Sequence, residues 1–300
     1  MSHVTPESTS GARSVSLSIV LPAKNEAPTI GALLDRIAQI CPEAERILVD
    51  DGSTDATAEI ARARGARVIS HPYSLGNGAA VKTGARAARG EVLVYMDADG
   101  QHDPADIARL LARLDAGYDM VVGTRGKDSQ ASLGRRLANG FYNWFASLMT
   151  GHRVQDLTSG FRAMRAEPFR RFLYLLPNGF SYPTTITMAF FRSGNPVDYV
   201  PIVAAQRNDT KRSHIRPLKD GVRFLLIIFK IATLYSPLKL FFPVSMAFFF
   251  LGLGYYLYTF TMFHRFTNMS ALLFSASVVV LMMGLVSEQI TATNYRETDR

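Results

Sequence analysis

The 300-residue sequence predicts an α/β fold, a mostly parallel sheet with helices on both faces, followed by an interfacial helix and a two-helix transmembrane hairpin. Three observations lead there. Between about residues 15 and 203, short apolar runs alternate with stretches whose apolar residues recur at helical spacing, the order that builds a parallel sheet. Polar turns follow four of the apolar runs, at Pro22, Asp51, Asp97 and Arg125, and in such sheets the turns at the strands' carboxyl ends converge on one ligand-binding edge. Beyond about residue 220 the composition shifts to long apolar runs without charge.

The elements read in order as follows. Ser16 to Leu21 is a strand, followed by the turn Pro22-Ala23-Lys24-Asn25-Glu26 and a helix with Pro28 near its start and Ile30, Leu33, Leu34 and Ile37 on one face. Arg46 to Val49 is a second strand, followed by Asp50-Asp51-Gly52-Ser53-Thr54-Asp55 and an Ala-rich helix closed by Gly65. A short strand at Arg67 to Ser70, a turn at Gly76-Asn77-Gly78 and a helix to about Arg89 come next. The strand Val92 to Met96 runs into Asp97-Ala98-Asp99-Gly100-Gln101-His102, and Asp103-Pro104 reads as the N-cap and first turn of a helix carrying Ile107, Leu110, Leu111 and Leu114.

Met120 to Val122 is then a strand, with Gly123-Thr124-Arg125 expected as its turn. From Ser132 to Met149 an amphipathic helix carries Leu133, Leu137, Phe141, Trp144, Phe145 and Leu148, either packing on the core or lying on a membrane surface. Asp156-Leu157-Thr158-Ser159-Gly160-Phe161-Arg162 is expected as a polar turn in which Gly160 lets the backbone approach another group closely, before a helix near Thr184 to Arg192 and a strand at Val197 to Val203.

Residues 207–230 combine seven Lys and Arg residues with the apolar face Val222, Leu225, Leu226 and Phe229, the pattern of an interfacial helix beside an anionic leaflet. Leu240 to Phe263 and Phe266 to Ser287 carry no charge, and each is long enough to cross a hydrocarbon core of about 30 Å. Their short connection makes them a hairpin, and the basic residues before it place both termini in the cytoplasm. The expected layout is a disordered tail at 1–13, a catalytic domain at 14–217, an interfacial region at 218–236, the hairpin at 237–290 and a cytoplasmic tail at 291–300, in an integral protein of the inner membrane.

The net charge of +8 is compatible with nucleic acid, an anionic membrane or phosphorylated substrates. No nucleic-acid motif accompanies it, so nucleic acid is set aside and the charge is read as facing lipid headgroups and phosphates. A single cysteine, Cys41, excludes a disulfide framework within the chain and fits a reducing compartment. The first apolar run, Val15 to Leu21, is short, contains serines and lacks the usual cationic lead, so no signal peptide is expected.

Asp97 and Asp99 stand one residue apart at a strand's end, where Gly100 makes a bend cheap. Hard oxygen ligands of this kind suit Mg²⁺ or Mn²⁺, which take one or two carboxylates and complete their shell with water and substrate phosphates. The implied task is to grip a metal diphosphate.

Leu21-Pro22-Ala23-Lys24-Asn25-Glu26, Val49-Asp50-Asp51-Gly52-Ser53-Thr54-Asp55, Asp97-Ala98-Asp99-Gly100-Gln101-His102 and Gly123-Thr124-Arg125, in this order, resemble the family 2 glycosyltransferases of the GT-A fold, a Rossmann-like sheet. The resemblance covers about residues 15 to 235 and is closer to the branch that passes one sugar from a nucleotide sugar to a polyprenyl phosphate, such as dolichol-phosphate mannose synthase and bactoprenol glucosyltransferase. It implies that Pro22, Ala23, Glu26, Val49 and Asp51 hold the nucleoside, with Asp51 at the base or ribose, and that Asp97 and Ala98 line the donor site. It further implies Asp99 and Gln101 as ligands of Mg²⁺ or Mn²⁺, with Asp97, Asp99, Gln101 and Arg125 at the chemistry. Arg125, Arg135, Arg136, Ser159, Arg207 and Lys211 would face phosphates of donor or acceptor.

The stretch Ala205 to Ser213 departs from the family's usual loop, and the Gln-x-x-Arg-Trp signature of processive synthases is absent. The resemblance thus implies an inverting transfer of one hexose from a UDP- or GDP-hexose to undecaprenyl or dolichyl phosphate, whose oxygen is already anionic and needs no strong base. The expected partners are a nucleotide sugar, a polyprenyl phosphate and the bilayer, and a homo-oligomer is compatible with the pattern. The rival reading is transfer to a hydroxyl of a glycan, lipid or protein, for which Asp156 is the candidate base. A nucleotidyltransferase lacks its Gly-rich basic motif after the first strand, and a scaffold without chemistry would not need both aspartates, Gln101 and Arg125.

Overall fold

The computed structural model describes residues 16–125, 133–179, 182–202, 233 and 235–296. Seven strands form one sheet: β1 Leu17–Ala23, β2 Glu45–Asp50, β3 Arg67–Ser70, β4 Val92–Tyr95, β5 Met120–Arg125, β6 Arg162–Arg165 and β7 Val197–Ile202, in the spatial order β3-β2-β1-β4-β6-β5-β7. Every pairing is parallel except those of β6, which runs antiparallel between β4 and β5. The helices are α1 Ala27–Ile40, α2 Thr57–Ala63, α3 Asn77–Ala87, α4 Ile107–Asp115, α5 Leu133–Thr150, α6 Ala166–Arg171 and α7 Tyr182–Arg192.

Alternation along the central strands sorts their side chains into two cores. Ile19, Leu21, Leu48 and Val94 pack with Ile30, Leu34 and Ile37 of α1 and Leu110 and Leu114 of α4. Val20, Val49, Leu93 and Tyr95 pack on the other face with Ala80 of α3, Tyr142 and Ala146 of α5, Phe169 of α6 and Ile186 of α7. Asp103 accepts from the Ala105 N–H at 2.9 Å and caps a 3₁₀ turn, Pro104–Asp106, that runs directly into α4.

Two stretches differ from the sequence-based expectation. Gly123-Thr124-Arg125 is the second half of β5 rather than a turn, because β7 lies beside it with Gly123 opposite Val200 and Arg125 opposite Ile202. A glycine suits that place, since a Cβ there would meet Ile202 and Phe161 at 3.0 and 3.1 Å. Arg162 opens β6 instead of closing a polar turn, and it is fully buried. The interfacial segment expected at 207–230 lies outside the described residues.

Two long helices, Pro237–Phe263 and Asn268–Arg296, form the C-terminal hairpin, and the second continues past the apolar stretch expected at 266–287. Both are long and apolar enough to cross a membrane, and most of their apolar residues are not buried inside the protein. Small residues bring them together. Ser245 and Ser277 each donate to the other's carbonyl at 2.9 Å, Gly252 faces Leu273 and Phe274, and Gly284 faces Phe241. Outward they present Phe250, Leu251, Tyr258, Leu272, Val279 and Val286.

The hairpin's base is tied to the sheet domain. Glu288 accepts from the Leu238 N–H at 3.2 Å and pairs with Arg192 of α7 at 3.1 Å. Arg192 also donates to Ser236 Oγ, Tyr235 donates to the Thr185 carbonyl of α7, and Lys239 Nζ donates to the Met149 carbonyl of α5 at 2.8 Å.

Candidate active site

The turn after β4 is braced from below. Asp99 accepts from the Gln101 N–H at 3.1 Å, Gly100 takes φ +71°, and Thr29 of α1 donates to the Ala98 carbonyl at 2.8 Å. The Ala98 side chain is thereby buried in the core, while Asp97 and Asp99 stay partly exposed at the sheet's edge. His102 is buried with its ring stacked on Phe161, centroids 5.2 Å apart, and its Nε2 lies 3.9 Å from Asp97 Oδ2. Gly160 lies close against Asp97, where a Cβ would come within 2.6 and 2.7 Å of the two carboxylate oxygens.

The turns after β1 and β2 are laced to each other beside this one. Asn25 takes φ +56°, a conformation that asparagine tolerates better than most residues. Its side-chain oxygen accepts from the Thr54 N–H at 2.8 Å, and its own N–H donates to Ser53 Oγ at 3.0 Å. The Glu26 N–H donates to Thr57 Oγ1 at 2.9 Å, the Ala27 N–H to Asp55 at 3.2 Å, and the Asp51 N–H to the Ala23 carbonyl at 2.9 Å. Pro22 and Ala23 stand opposite Val49 and Asp50 in the ladder. The side chains of Ala23 and Val49 are buried in the cores, so what these two positions present at the edge is backbone.

Asp51, expected at the base or ribose, is buried and engaged by the chain itself. One carboxylate oxygen accepts from the Leu75 N–H and pairs with His71 Nδ1, each at 2.8 Å; the other accepts from Ser74 Oγ and the Gly76 N–H at 2.7 and 2.9 Å. A carboxylate has about four lone-pair sites, and these contacts use all of them. Burial raises the carboxyl's proton affinity, but the bonds from His71, Ser74, Leu75 and Gly76 outweigh it and hold its pKa below the ordinary value. In this arrangement Asp51 fixes the loop between β3 and α3, and a base or ribose would have to displace one of those donors.

The segment before β6 is built around a buried cation. Arg162 donates from Nε and Nη2 to the Ser159 carbonyl, and from Nη1 to the Pro183 carbonyl and Thr187 Oγ1. Burial lowers the guanidinium's pKa, which the nearby Tyr182, Tyr199, Asp156 and Asp97 offset in part. Asp156 Oδ1 accepts from the Thr158 N–H and Oγ1 and from the Ser159 N–H, closing the turn on itself. Ser159, expected to face a phosphate, is instead buried because Arg162 holds its peptide inward, and its hydroxyl lies 3.5 Å from the Phe161 carbonyl.

Arg125 ends β5, which runs parallel to β4, so its backbone is placed at the same edge of the sheet as Asp97; Arg135 and Arg136 lie in the first turn of α5. Arg207 and Lys211 lie outside the described residues. The close backbone approach expected at Gly160 is found there, against Asp97, whereas the sequence reading missed Arg162, Thr29 and His71, which carry no local signal.

A mostly parallel sheet with an acidic turn at the end of a central strand, flanked by interlocked turns, has the architecture of the GT-A fold. The chain belongs to glycosyl transferase family 2, whose model matches residues 18–173, and residues 236–293 match the model of the GtrB C-terminal hairpin. It is 29% identical to the glycosyltransferase AglJ of Haloferax volcanii over 94% of this chain and 96% of that one. It is 32% identical to the polyprenol monophosphomannose synthase of Mycolicibacterium smegmatis over 63% of this chain and 77% of the other. Among solved structures it resembles glucosyl-3-phosphoglycerate synthase from Mycobacterium tuberculosis in complex with Mn²⁺ and UDP-glucose, with a TM-score of 0.58 and 26% identity over 73% of this chain and 78% of that one.

Proposed function

We propose that the chain transfers a single hexose from a UDP- or GDP-hexose to a polyprenyl phosphate, undecaprenyl or dolichyl phosphate, with inversion at the anomeric carbon and at the cytoplasmic face of the membrane. The observation that carries this reading is the union, in one chain, of an acidic turn at the ligand-binding edge of the sheet with a membrane hairpin held to the same domain by Glu288, Arg192 and Lys239. A water-soluble donor and a lipid-borne acceptor meet only where such a site is held at the bilayer surface. The likeness to a polyprenol monophosphomannose synthase supports the acceptor class.

Among the described residues no three His, Cys, Asp or Glu side chains converge as a metal cage. Two carboxylates one residue apart, with Gln101 beside them, fit a hard divalent cation that completes its shell with water and substrate phosphate. Asp99 and Gln101 would hold Mg²⁺ or Mn²⁺, which supplies positive charge to the departing diphosphate. Asp97, with Gly160 and His102 close to its carboxylate, would orient the donor, and the peptides at Pro22, Ala23 and Val49 would line the nucleoside. Arg125, Arg135, Arg136, Arg207 and Lys211 would balance the phosphates of donor and acceptor. A lipid phosphate attacks without being deprotonated, which suits a site whose nearby Asp156 is already engaged by its own turn.

The test is full-length protein in proteoliposomes, given a panel of nucleotide sugars with either polyprenyl phosphate or the unphosphorylated polyprenol, and mass analysis of the lipid. The expected outcome is a glycosylated lipid phosphate from the former and no product from the latter, with transfer weakened in Arg207→Ala and, to a lesser degree, Lys211→Ala. Transfer to polyprenol at a comparable rate would overturn the reading in favour of a hydroxyl acceptor.

A further inference from the structure

Helix α5 has two faces with different surroundings. Tyr142, Ala146 and Met149 are buried in the core, and the Tyr142 hydroxyl donates to Thr184 Oγ1 at 3.2 Å. Phe141, Trp144 and Leu148 are 54%, 58% and 58% exposed. Their spacing places them on one stripe of the helix, and the Phe141 and Trp144 rings stand 5.6 Å apart. Three large apolar side chains lined up in this way on a domain surface call for a cover.

The position of the helix indicates what covers them. Leu148 adjoins Met149, whose carbonyl accepts from Lys239 in the first turn of the hairpin's first helix. Leu240 of that helix packs against the same core as α5. The stripe therefore starts where the hairpin enters its apolar stretch, and at about 1.5 Å per residue it runs some 10 Å along the domain from Leu148 to Phe141. Its chemistry fits the headgroup level of a bilayer, where Trp and Phe are favoured. From Gly140 to Gln155 the chain carries no carboxylate and has Arg153 as an exposed cation, which suits an anionic leaflet.

We propose that Phe141, Trp144 and Leu148 insert into the bilayer surface as a second membrane contact beside the hairpin, so that the sheet domain is held at two points and cannot swing about the hairpin's base. The proposal rests on the hairpin spanning the membrane and does not depend on which sugar or acceptor is used. Trp144 is the protein's single tryptophan, so its fluorescence reports this stripe in the unaltered full-length chain.

The experiment reconstitutes the protein in phosphatidylcholine–phosphatidylglycerol vesicles with or without lipid brominated near the headgroup end of its chains, at two protein-to-lipid ratios. For a helix seated in the headgroup and upper acyl region, Trp144 emission should fall about twofold with the brominated lipid and be shielded from aqueous iodide. Bromine near the chain ends should quench less, and F141S/L148S should restore iodide access while leaving the hairpin inserted. Emission indifferent to brominated lipid and open to iodide would overturn the proposal. So would emission shielded from iodide but indifferent to brominated lipid and varying with protein density, because a second copy of the chain would then cover the stripe. Failure of sugar transfer in the same vesicles would count against the proposed function alone.

Discussion

Replacing Gly160 by alanine tests how the site holds Asp97. The added Cβ would lie 2.6 Å from Oδ2 and 2.7 Å from Oδ1 of that carboxylate, whereas ordinary contact begins at 3.4 Å, so the group must withdraw by roughly 0.8 Å. The obstacle is the end of a partly exposed side chain rather than backbone, so the fold can yield at a cost of about 1 kcal/mol, the low end of overpacking. In a domain of this size that lowers Tm by only about 2–4 °C. The site is less tolerant, since a misplacement near 1 Å can cost about 10²-fold in rate. G160A should therefore lose roughly 10- to 100-fold in sugar transfer, measured in proteoliposomes at saturating donor, while its thermal unfolding stays close to that of the parent. Gly140, where an added Cβ would meet nothing within 4 Å, supplies the control, and G140A should leave transfer unchanged. A wild-type rate in G160A would refute the claim that Gly160 positions Asp97, and a Tm loss of tens of degrees would make Gly160 a folding residue instead.

Three further outcomes are expected. Chelation should abolish transfer, and D99A should remain inactive in excess Mn²⁺ with unfolding unchanged; activity rescued by the metal would remove Asp99 from the ligand set. Asp51 has a native pKa held below its unfolded value of about 3.9, so it contributes stability above that pH and loses it as pH falls through the native value. D51N should thus lower stability at neutral pH by about 1–3 kcal/mol and show a shallower acid transition below pH 4 in circular dichroism, an expectation contradicted by parallel acid curves. Reporter fusions at residues 1 and 300 should both report cytoplasm with the connection near His264 outside, and opposite locations for the two termini would mean that only one helix crosses.

The parts of the fold legible in the sequence are those whose signal is local. The apolar period of α1 and α4, the Asp103-Pro104 start and the uncharged hairpin helices each follow from a few neighbouring residues. Gly123 to Arg125 defeated that reading because the strand there is completed by β7, more than 70 residues away. Arg162 defeated it because nothing in Asp-Leu-Thr-Ser-Gly-Phe-Arg announces that the arginine will be buried, its charge offset by carbonyls of Ser159 and Pro183 that only the folded chain supplies.

The acidic residues show where such reading reaches its limit. Asp51, Asp97 and Asp99 each follow a strand at the same edge of the sheet, and composition alone makes them equivalent. The fold separates them by how deeply it buries them. Asp51 is buried and receives four donors from one loop, whereas Asp99 stays partly exposed, with the Gln101 N–H of its own turn on its carboxylate. Asp97 is also partly exposed, with Gly160 close against its oxygens and His102 Nε2 3.9 Å from Oδ2. Because Arg162 fixes the Ser159 carbonyl just before Gly160, the position of Asp97 depends on a cation that never reaches the surface. R162M should then resemble G160A in its loss of transfer, but with a large loss of stability as well, since the buried Ser159 carbonyl would lose both guanidinium donors. The contrast between the two variants, one silent and one severe in unfolding yet alike in rate, would separate the positioning of Asp97 from the folding of the segment that positions it.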